Sequence, residues 1–175
     1  MESTPNPYVY HGSETEFDDE LAKPKRQIRS KINNAGEHRV IFDEESFHAT
    51  SHKWIALAYT YNGRETFEIE GKKVGYNMGV SLYEDNKTVV IFGRGSLEES
   101  IAKLYGNGGY LYHFDKDKFI YKEGLGNLEV IVNEPIKPVT VEQVDDPVGE
   151  MKKLGIKFEF VDLELPENER DRNWI

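Results

Sequence analysis

The sequence predicts an α+β fold in which many short strands are combined with a few short helices. Runs that alternate apolar and polar residues, the pattern of half-buried strands, recur along most of the chain. Apolar residues at helical spacing are confined to two or three segments. These segments interrupt the strand-like runs irregularly, so the βαβα order that builds a parallel sheet is not expected.

The first predicted elements precede the first helix. Residues 8–11 alternate as Tyr-Val-Tyr-His and predict a short strand that ends before Gly12. Residues 14–38 are polar, charged and without a clear period, which predicts a long loop. Two apolar pieces, 39–42 and 46–49, are then predicted on either side of an acidic turn.

A change of period marks the first predicted helix, which spans residues 51–61. Ser51 is a suitable N-cap, because its side-chain oxygen can accept a hydrogen bond from a backbone N–H of the first turn. The apolar residues of this segment fall on one helical face: Trp54, Ile55, Leu57, Ala58 and Tyr61.

The rest of the chain continues as short strands with two further helices. Ser96 and Glu99 have the spacing of a capping box, at the start of a predicted helix within residues 95–109. The other predicted elements are β-hairpins within 64–93, a strand at 110–114, two strands within 127–144, a short helix within 146–155 and a last strand within 157–164.

Length and composition limit the class of protein. The 175 residues suit one domain spanning 1–175, with loose termini at 1–7 and 166–175. Cysteine is absent, so neither a disulfide framework nor a cysteine-ligated metal site is expected. The N-terminus does not resemble a signal peptide, and no apolar run approaches the roughly 20 residues that span a bilayer. We therefore expect a soluble, cytoplasmic protein that does not contact a membrane.

The charge distribution has one local exception. The net charge of −10 argues against a general nucleic-acid-binding protein, because neutralising phosphates requires cationic surface. Residues 23–31, "KPKRQIRSK", are nevertheless basic and form either a solvated loop or a patch that meets a phosphate or a nucleic acid. The cations of this segment are Lys23, Lys25, Arg26, Arg29 and Lys31.

Histidine spacing gives little support for a metal site. His48 and His52 have the i, i+4 spacing that some metal-binding pairs use. A helix that begins near Ser51 would carry His52 but not His48, and no third ligand stands at a typical spacing. We expect no metal. The sequence also lacks a phosphate-binding glycine loop of the P-loop or dinucleotide type and a Gly-x-Ser-x-Gly motif.

Three motifs remain: "YHGS" at 10–13, "FHATSHKWIALAY" at 47–59 and "GNLEVIVNEPIKPV" at 126–139. Their order and spacing resemble those of the ADP-ribosyltransferase superfamily, the PARP-like and diphtheria-toxin-like enzymes that use NAD. In PARP-like members a strand ends in His-Gly, a second strand carries an aromatic-x-Ala element, a tyrosine follows about ten residues later, and a glutamate opens a late strand. The matching residues are His11, Gly12, Phe47, Ala49, Tyr59 and Glu129. The resemblance implies an ADP-ribosyltransferase-like split antiparallel β-sheet core with a few short helices.

The resemblance also implies catalytic roles. Gly12 would hold the nicotinamide carboxamide through its backbone, and a missing side chain suits a close approach. His11 would donate a hydrogen bond to a ribose hydroxyl, and Tyr59 would stack on the nicotinamide ring. Glu129 would stabilise the oxocarbenium character that builds as the nicotinamide–ribose bond breaks. Glu134, five positions further on, is an alternative to Glu129.

Further contacts to NAD are expected from hydroxyl groups and from the basic segment. Ser13, Thr50 and Ser51 are candidates for binding a ribose or a phosphate. Arg26 and Arg29, or Lys31 beside them, are candidates for binding the diphosphate from the predicted loop.

The expected function is that of a mono-ADP-ribosyltransferase-like enzyme, with NAD as its substrate and a macromolecule as acceptor. The acceptor would be a protein, or a nucleic acid bound through residues 23–31. Two alternatives stay open: an enzyme of the same fold that cleaves the N-glycosidic bond of a nucleobase in DNA or RNA, and a non-catalytic, phage-type inhibitor. The arrangement is most similar to small phage and bacterial members, which for a phage protein would place it in the host cytoplasm.

The sequence departs from the family pattern at two positions near the motifs. His48 stands where the family usually has a small or apolar residue. Asn127 stands where enzymes that modify arginine or a DNA base have Glu or Gln. The second departure leaves the class of acceptor open.

Overall fold

The computed structural model describes residues 5–18 and 20–170, which form eleven β-strands and three α-helices. The strands are β1 (Tyr8–Ser13), β2 (Lys25–Ile32), β3 (His38–Ala49), β4 (Thr66–Ile69), β5 (Lys72–Gly75), β6 (Asn77–Tyr83), β7 (Asn86–Gly93), β8 (Gly109–Asp115), β9 (Val130–Val132), β10 (Thr140–Val144) and β11 (Lys157–Asp162). The helices are α1 (Lys53–Ala58), α2 (Leu97–Tyr105) and α3 (Pro147–Lys153). The α+β prediction is confirmed.

The strands form three small sheets and one hairpin. Their orders are β1-β8-β10, β2-β3-β9 and β11-β7-β6, and β4 pairs with β5. Among the described strands every pairing is antiparallel except that of β7 with β11. That exception was not predicted, because β11 reaches β7 only after a connection that passes through two helices and two other sheets.

The first strand is longer than predicted. β1 continues through Gly12 and Ser13, whose partners on β8 are Leu111 and Tyr110. A bridge between Tyr10 and Thr50, with hydrogen bonds of 2.7 and 2.9 Å, joins the other edge of β1 to the end of β3. His11 therefore lies inside a strand and beside the seam between two sheets.

The predicted long loop at 14–38 is wrong for residues 25–32, which form β2, and the predicted acidic turn after it is wrong because β3 is continuous there. β2 pairs antiparallel with β3, to which it is joined through residues 33–37. Opposite charges on the two strands help to explain why polar sequences pair here. Arg26 of β2 forms a bidentate ion pair with Asp43 of β3, with both contacts at 2.8 Å.

Helix α1 is shorter than the predicted range of 51–61. It begins after His52, so Ser51 is not its N-cap. Side chains take up its last carbonyl groups: Thr60 Oγ1 donates to Leu57 at 2.7 Å, and the Tyr105 hydroxyl donates to Ala58 at 2.8 Å. The last carbonyl groups of a helix have no partner within the helix. These two donors supply partners for them, which allows the helix to end at Ala58.

The remaining helices and strands follow the prediction closely. Ser96 Oγ accepts from Glu99 N at 3.1 Å and caps α2, while the Asp146 side chain caps α3. The termini are less loose than predicted. Lys116 N donates to the Pro7 carbonyl. The Arg170 guanidinium donates to the backbone carbonyls of Leu163 and Leu165. Residues 1–4 and 171–175 lie outside the described residues.

Two hydrophobic clusters stabilise this arrangement. The larger surrounds α1, whose residues from Trp54 to Ala58 are all buried. The smaller underlies β1, β3 and β9, and we call its five rings the aromatic cluster: Phe17, Phe47, Tyr112, Phe114 and Phe119. Residues of both clusters line the cleft described below.

Gly12 is needed for the contact between β1 and α1. A Cβ at this position would overlap the carbonyl oxygen of Ala56. Replacing Gly12 with Ala should therefore reduce the free energy of unfolding by about 3 kcal/mol, because backbone atoms cannot move aside cheaply. Urea unfolding measures this loss.

Gly126→Ala is the matched control. A Cβ at Gly126 would meet no atom within 4 Å, so this variant should be as stable as the wild type or slightly more stable. Equal stability of the two variants would contradict the assigned contact.

Candidate active site

A cleft of about 1020 Å³ opens beside the seam between β1 and β3. Its lining includes His11 from β1, Tyr59 at the end of α1, and Glu129, which immediately precedes β9. The structure thus brings together the three predicted catalytic residues, although they are far apart in the chain. Glu134, the alternative carboxylate, does not line this cleft.

Strand pairing places Glu129 at the cleft. β9 pairs with the end of β3, so that Ile131 is opposite His48 and Val130 is opposite Ala49. Glu129 Oε1 lies 3.2 Å from His48 Nδ1 and 3.6 Å from a guanidinium nitrogen of Arg29. The hydrogen bond from His48, together with the charge of Arg29, holds the pKa of Glu129 below its usual range although the carboxyl is half-buried. Glu129 is therefore a carboxylate at neutral pH.

His11 is held as a neutral imidazole. The centroid of its ring lies 4.5 Å from that of Phe47 and 5.8 Å from that of Phe17. Burial lowers the pKa of His11 to about 4. Its Nδ1 is 2.8 Å from the carbonyl oxygen of His48, which can only accept a hydrogen bond. The single proton is therefore on Nδ1, and Nε2 presents a lone pair. In this tautomer Nε2 can accept a hydrogen bond from a hydroxyl but cannot donate one, so the expected donation from His11 to a ribose hydroxyl would have to be reversed in direction.

Tyr59 contributes an accessible ring to the cleft. It follows α1 as its C-cap residue and is 50% exposed. Burial of its hydroxyl, followed by the negative charge of Glu129, raises the pKa of Tyr59. The side chain is thus a neutral phenol that lies near the carboxylate and can stack on a planar ligand.

Gly12 presents free backbone groups at the cleft. Tyr10 uses its N–H and C=O to bind Thr50, and alternate residues of a strand turn these groups to the same edge. The polar groups of Gly12 therefore also face this edge, where no backbone partner bridges them among the described residues. The absence of a side chain serves the packing on Ala56, and the free edge remains available to a ligand.

The basic segment supplies Arg29, which was predicted to bind the diphosphate, and Lys23 and Lys25, which were not, whereas Lys31 does not line the cleft. Because β2 is a strand, its side chains alternate between two faces, and Lys25, Gln27 and Arg29 line the cleft. Arg26 is on the other face, paired with Asp43, and does not line the cleft. The expected diphosphate contact is consistent with the position of Arg29 but not with that of Arg26.

The predicted hydroxyl groups are distributed unevenly. Ser13 and Thr50 line the cleft, whereas Ser51 does not. Ser13 Oγ donates to the Thr15 carbonyl at 2.6 Å, and Thr50 Oγ1 accepts from His52 N at 3.1 Å. Thr50 therefore retains its hydroxyl proton for a ligand, while that of Ser13 is already used.

The sequence interpretation missed Ser46 and His48 as site residues. Ser46 Oγ is 2.8 Å from His48 Nε2, and His48 Nδ1 bonds to Glu129, so the three side chains form a chain of hydrogen bonds. The order matches that of a serine nucleophile, its histidine base and an orienting acid. Ser46, however, is 1% exposed, and a nucleophile must reach its substrate. The chain of bonds therefore orients His48 and Glu129.

The available signal for these residues was alternation along β3. Ser46 and His48 are two residues apart and therefore share a face of a strand, and the unusual histidine at position 48 had already been noted. Within the described residues, no group of three or more histidine, aspartate or glutamate side chains could hold a metal ion. No helix in residues 5–18 or 20–170 is long and apolar enough to cross a membrane.

Comparisons of the chain with protein-family models, with curated proteins and with solved structures find no match.

The neutral, partly buried His11 should make the protein sensitive to acid. Between pH 6.5 and 4 His11 binds a proton in the unfolded chain but not in the folded chain. The free energy of unfolding therefore falls as the pH drops through this range. In the wild type this group should remove about 3 kcal/mol of unfolding free energy between pH 7 and pH 4.

His11→Gln should abolish that part of the acid dependence. Urea unfolding at pH 7, 5.5 and 4 measures it as the difference between wild type and variant, in which the contributions of other groups cancel. His38→Gln, at an exposed position of β3, is the control and should keep the wild-type dependence. The same acid dependence in the His11 variant as in the wild type would show that His11 is not the buried neutral group.

Proposed function

We propose that this chain is an NAD-dependent, mono-ADP-ribosyltransferase-like enzyme. The observation that carries the proposal is that His11, Tyr59 and Glu129, which were selected by the resemblance to ADP-ribosyltransferases, line one cleft together with the free backbone edge of Gly12. An enzyme that cleaves the glycosidic bond of a dinucleotide would use three groups found here: a neutral acceptor nitrogen, an accessible aromatic ring and an ionised carboxylate. The volume of about 1020 Å³ is at the upper end of the range for small-molecule sites.

The groups of the cleft fit the parts of NAD in sequence. The Gly12 N–H and C=O bind the nicotinamide carboxamide, and Tyr59 stacks on the pyridinium ring. His11 Nε2 accepts a hydrogen bond from a hydroxyl of the adenosine ribose. Lys25 and Arg29, which line the cleft from β2, bind the diphosphate.

The reaction breaks the bond between the nicotinamide nitrogen and C1′ of its ribose. Nicotinamide leaves with the electron pair of that bond and becomes neutral, and positive charge develops on the ribose ring. Glu129 accepts a hydrogen bond from the ribose 2′-hydroxyl, and its negative charge stabilises the oxocarbenium-like transition state. A nucleophile of the acceptor then attacks C1′ and gives up its proton to Glu129 or to solvent.

Glu129→Gln tests this proposal directly. The amide keeps the shape of the side chain but removes the charge, so nicotinamide release should fall about 10²- to 10³-fold while NAD affinity changes little. Chromatography of released nicotinamide measures the first quantity, and isothermal titration calorimetry measures the second. Glu134→Gln, outside the cleft, is the control and should retain wild-type activity.

Other outcomes would favour the two alternatives. A wild type that neither binds nor cleaves NAD, but retains single-stranded DNA in a salt-dependent manner, would indicate a nucleobase-directed enzyme. Capture of a host protein that is unchanged in the double variant His11→Ala, Glu129→Ala would indicate a non-catalytic inhibitor. In either case the proposal fails.

A second prediction concerns the alternation of cations on β2. Lys25→Gln should raise the dissociation constant for NAD about fivefold, because an accessible cation facing the cleft is lost. Arg26→Gln should leave the constant unchanged, since Arg26 is on the opposite face. Calorimetric titration of both variants measures this, and an equal effect of the two would show that NAD does not lie along this face of β2.

A further inference from the structure

Residue 48 contacts both His11 and Glu129 of the proposed reaction centre. Its backbone carbonyl accepts the Nδ1 proton of His11 at 2.8 Å, and its own imidazole Nδ1 is 3.2 Å from Glu129 Oε1. One residue of β3 therefore fixes the tautomer of His11 and contacts the carboxylate of Glu129.

The His48 ring is restrained on several sides. Ser46 Oγ is 2.8 Å from Nε2, and Ser46 is buried at the preceding position on the same face of β3. The ring of Phe42 packs edge-on against the imidazole at a centroid distance of 5.7 Å. With both ring nitrogens bonded and one face packed, the imidazole has little freedom to rotate.

The two oxygens of Glu129 have different surroundings. Both His48 and Arg29 contact Oε1, whereas no protein hydrogen bond reaches Oε2 among the described residues. His48 Nδ1 is the closer contact and its side chain is 14% exposed, while that of Arg29 is 43% exposed. His48 is therefore the more rigid of the two anchors.

We propose that His48 is the positioning residue of Glu129: it holds Oε1 so that Oε2 is presented to the substrate hydroxyl. This inference rests on the proposed function for the identity of the substrate. The contact itself belongs to the free protein and can be measured without NAD.

The experiment compares His48→Phe with His48→Gln. Phenylalanine keeps the ring but cannot donate, whereas glutamine can still donate to a carboxylate. In His48→Phe the kcat for nicotinamide release should fall about 10- to 100-fold with KM for NAD within about twofold, because the carboxylate is misplaced but the dinucleotide contacts remain. His48→Gln should recover most of this loss.

A second readout uses the free protein. Carbon-detected NMR of the Glu129 carboxyl should show its pKa rise in His48→Phe, because the hydrogen bond that stabilises the charged form is removed. In His48→Gln the titration should remain close to that of the wild type. Should His48→Phe fail to fold, as judged by thermal unfolding, Ser46→Ala replaces it, since it frees the imidazole and should shift both readouts in the same direction.

His113 provides the matched control. It is a similarly buried histidine, 18% exposed, whose Nε2 is 3.4 Å from Glu142 outside the cleft. His113→Gln should leave both the kcat and the Glu129 titration unchanged.

The two proposals fail in different ways. An unmoved Glu129 titration in folded His48→Phe, or an unchanged kcat, would overturn the role of His48. A wild type that does not cleave NAD would overturn the proposed function, while a Glu129 titration that shifts in His48→Phe would still support the anchoring contact.

Discussion

The pairing made by the C-terminal half of β3 is the constraint on which the site depends. This stretch pairs with β9, which brings Glu129 beside His48, and continues into Thr50, which bridges to Tyr10 of β1. Two non-local contacts thus bring His11, near the start of the chain, and Glu129 to the same strand, β3. Loss of either pairing would separate His11 from Glu129.

The aromatic cluster stabilises this pairing from below. Phe47, on the face of β3 opposite His48, packs against the rings of His11, Phe114 and Phe119 at centroid distances between 4.5 and 6.5 Å. Aromatic pairs of this kind each add about 0.5–1.5 kcal/mol beyond the burial of their area. The same packing that holds the sheets together also covers much of the His11 ring with Phe47 and Phe17, so the lowered pKa of that histidine is a consequence of the core.

Sequence reasoning was most successful where the signal was local. The capped helix α2 and the strand β8 could be predicted from patterns within their own segments. The pairing of β2 with β3 could not, because β2 is almost wholly exposed and lacks the apolar alternation that marks a strand, while its pairing is supported by charge complementarity such as that between Arg26 and Asp43. The same limit explains the missed contact of His48, since its partner Glu129 is 81 positions away. The resemblance to ADP-ribosyltransferases selected side chains that share a cleft, and it remains a prediction as to family.

The distribution of charge bears on the kind of ligand that the cleft accepts. The chain carries a net charge of −10, yet β2 directs Lys25 and Arg29 into the cleft while Arg26 is neutralised by Asp43 on the other face. A polyanion laid across the surface would meet mainly repulsive charge at long range. A small anion inside the cleft would meet Lys23, Lys25 and Arg29 at short range, beside the carboxylates of Glu16, Asp18 and Glu129. The proposed binding of a dinucleotide therefore depends on where the cations of residues 23–29 lie in the cleft, and not on an excess of positive charge there.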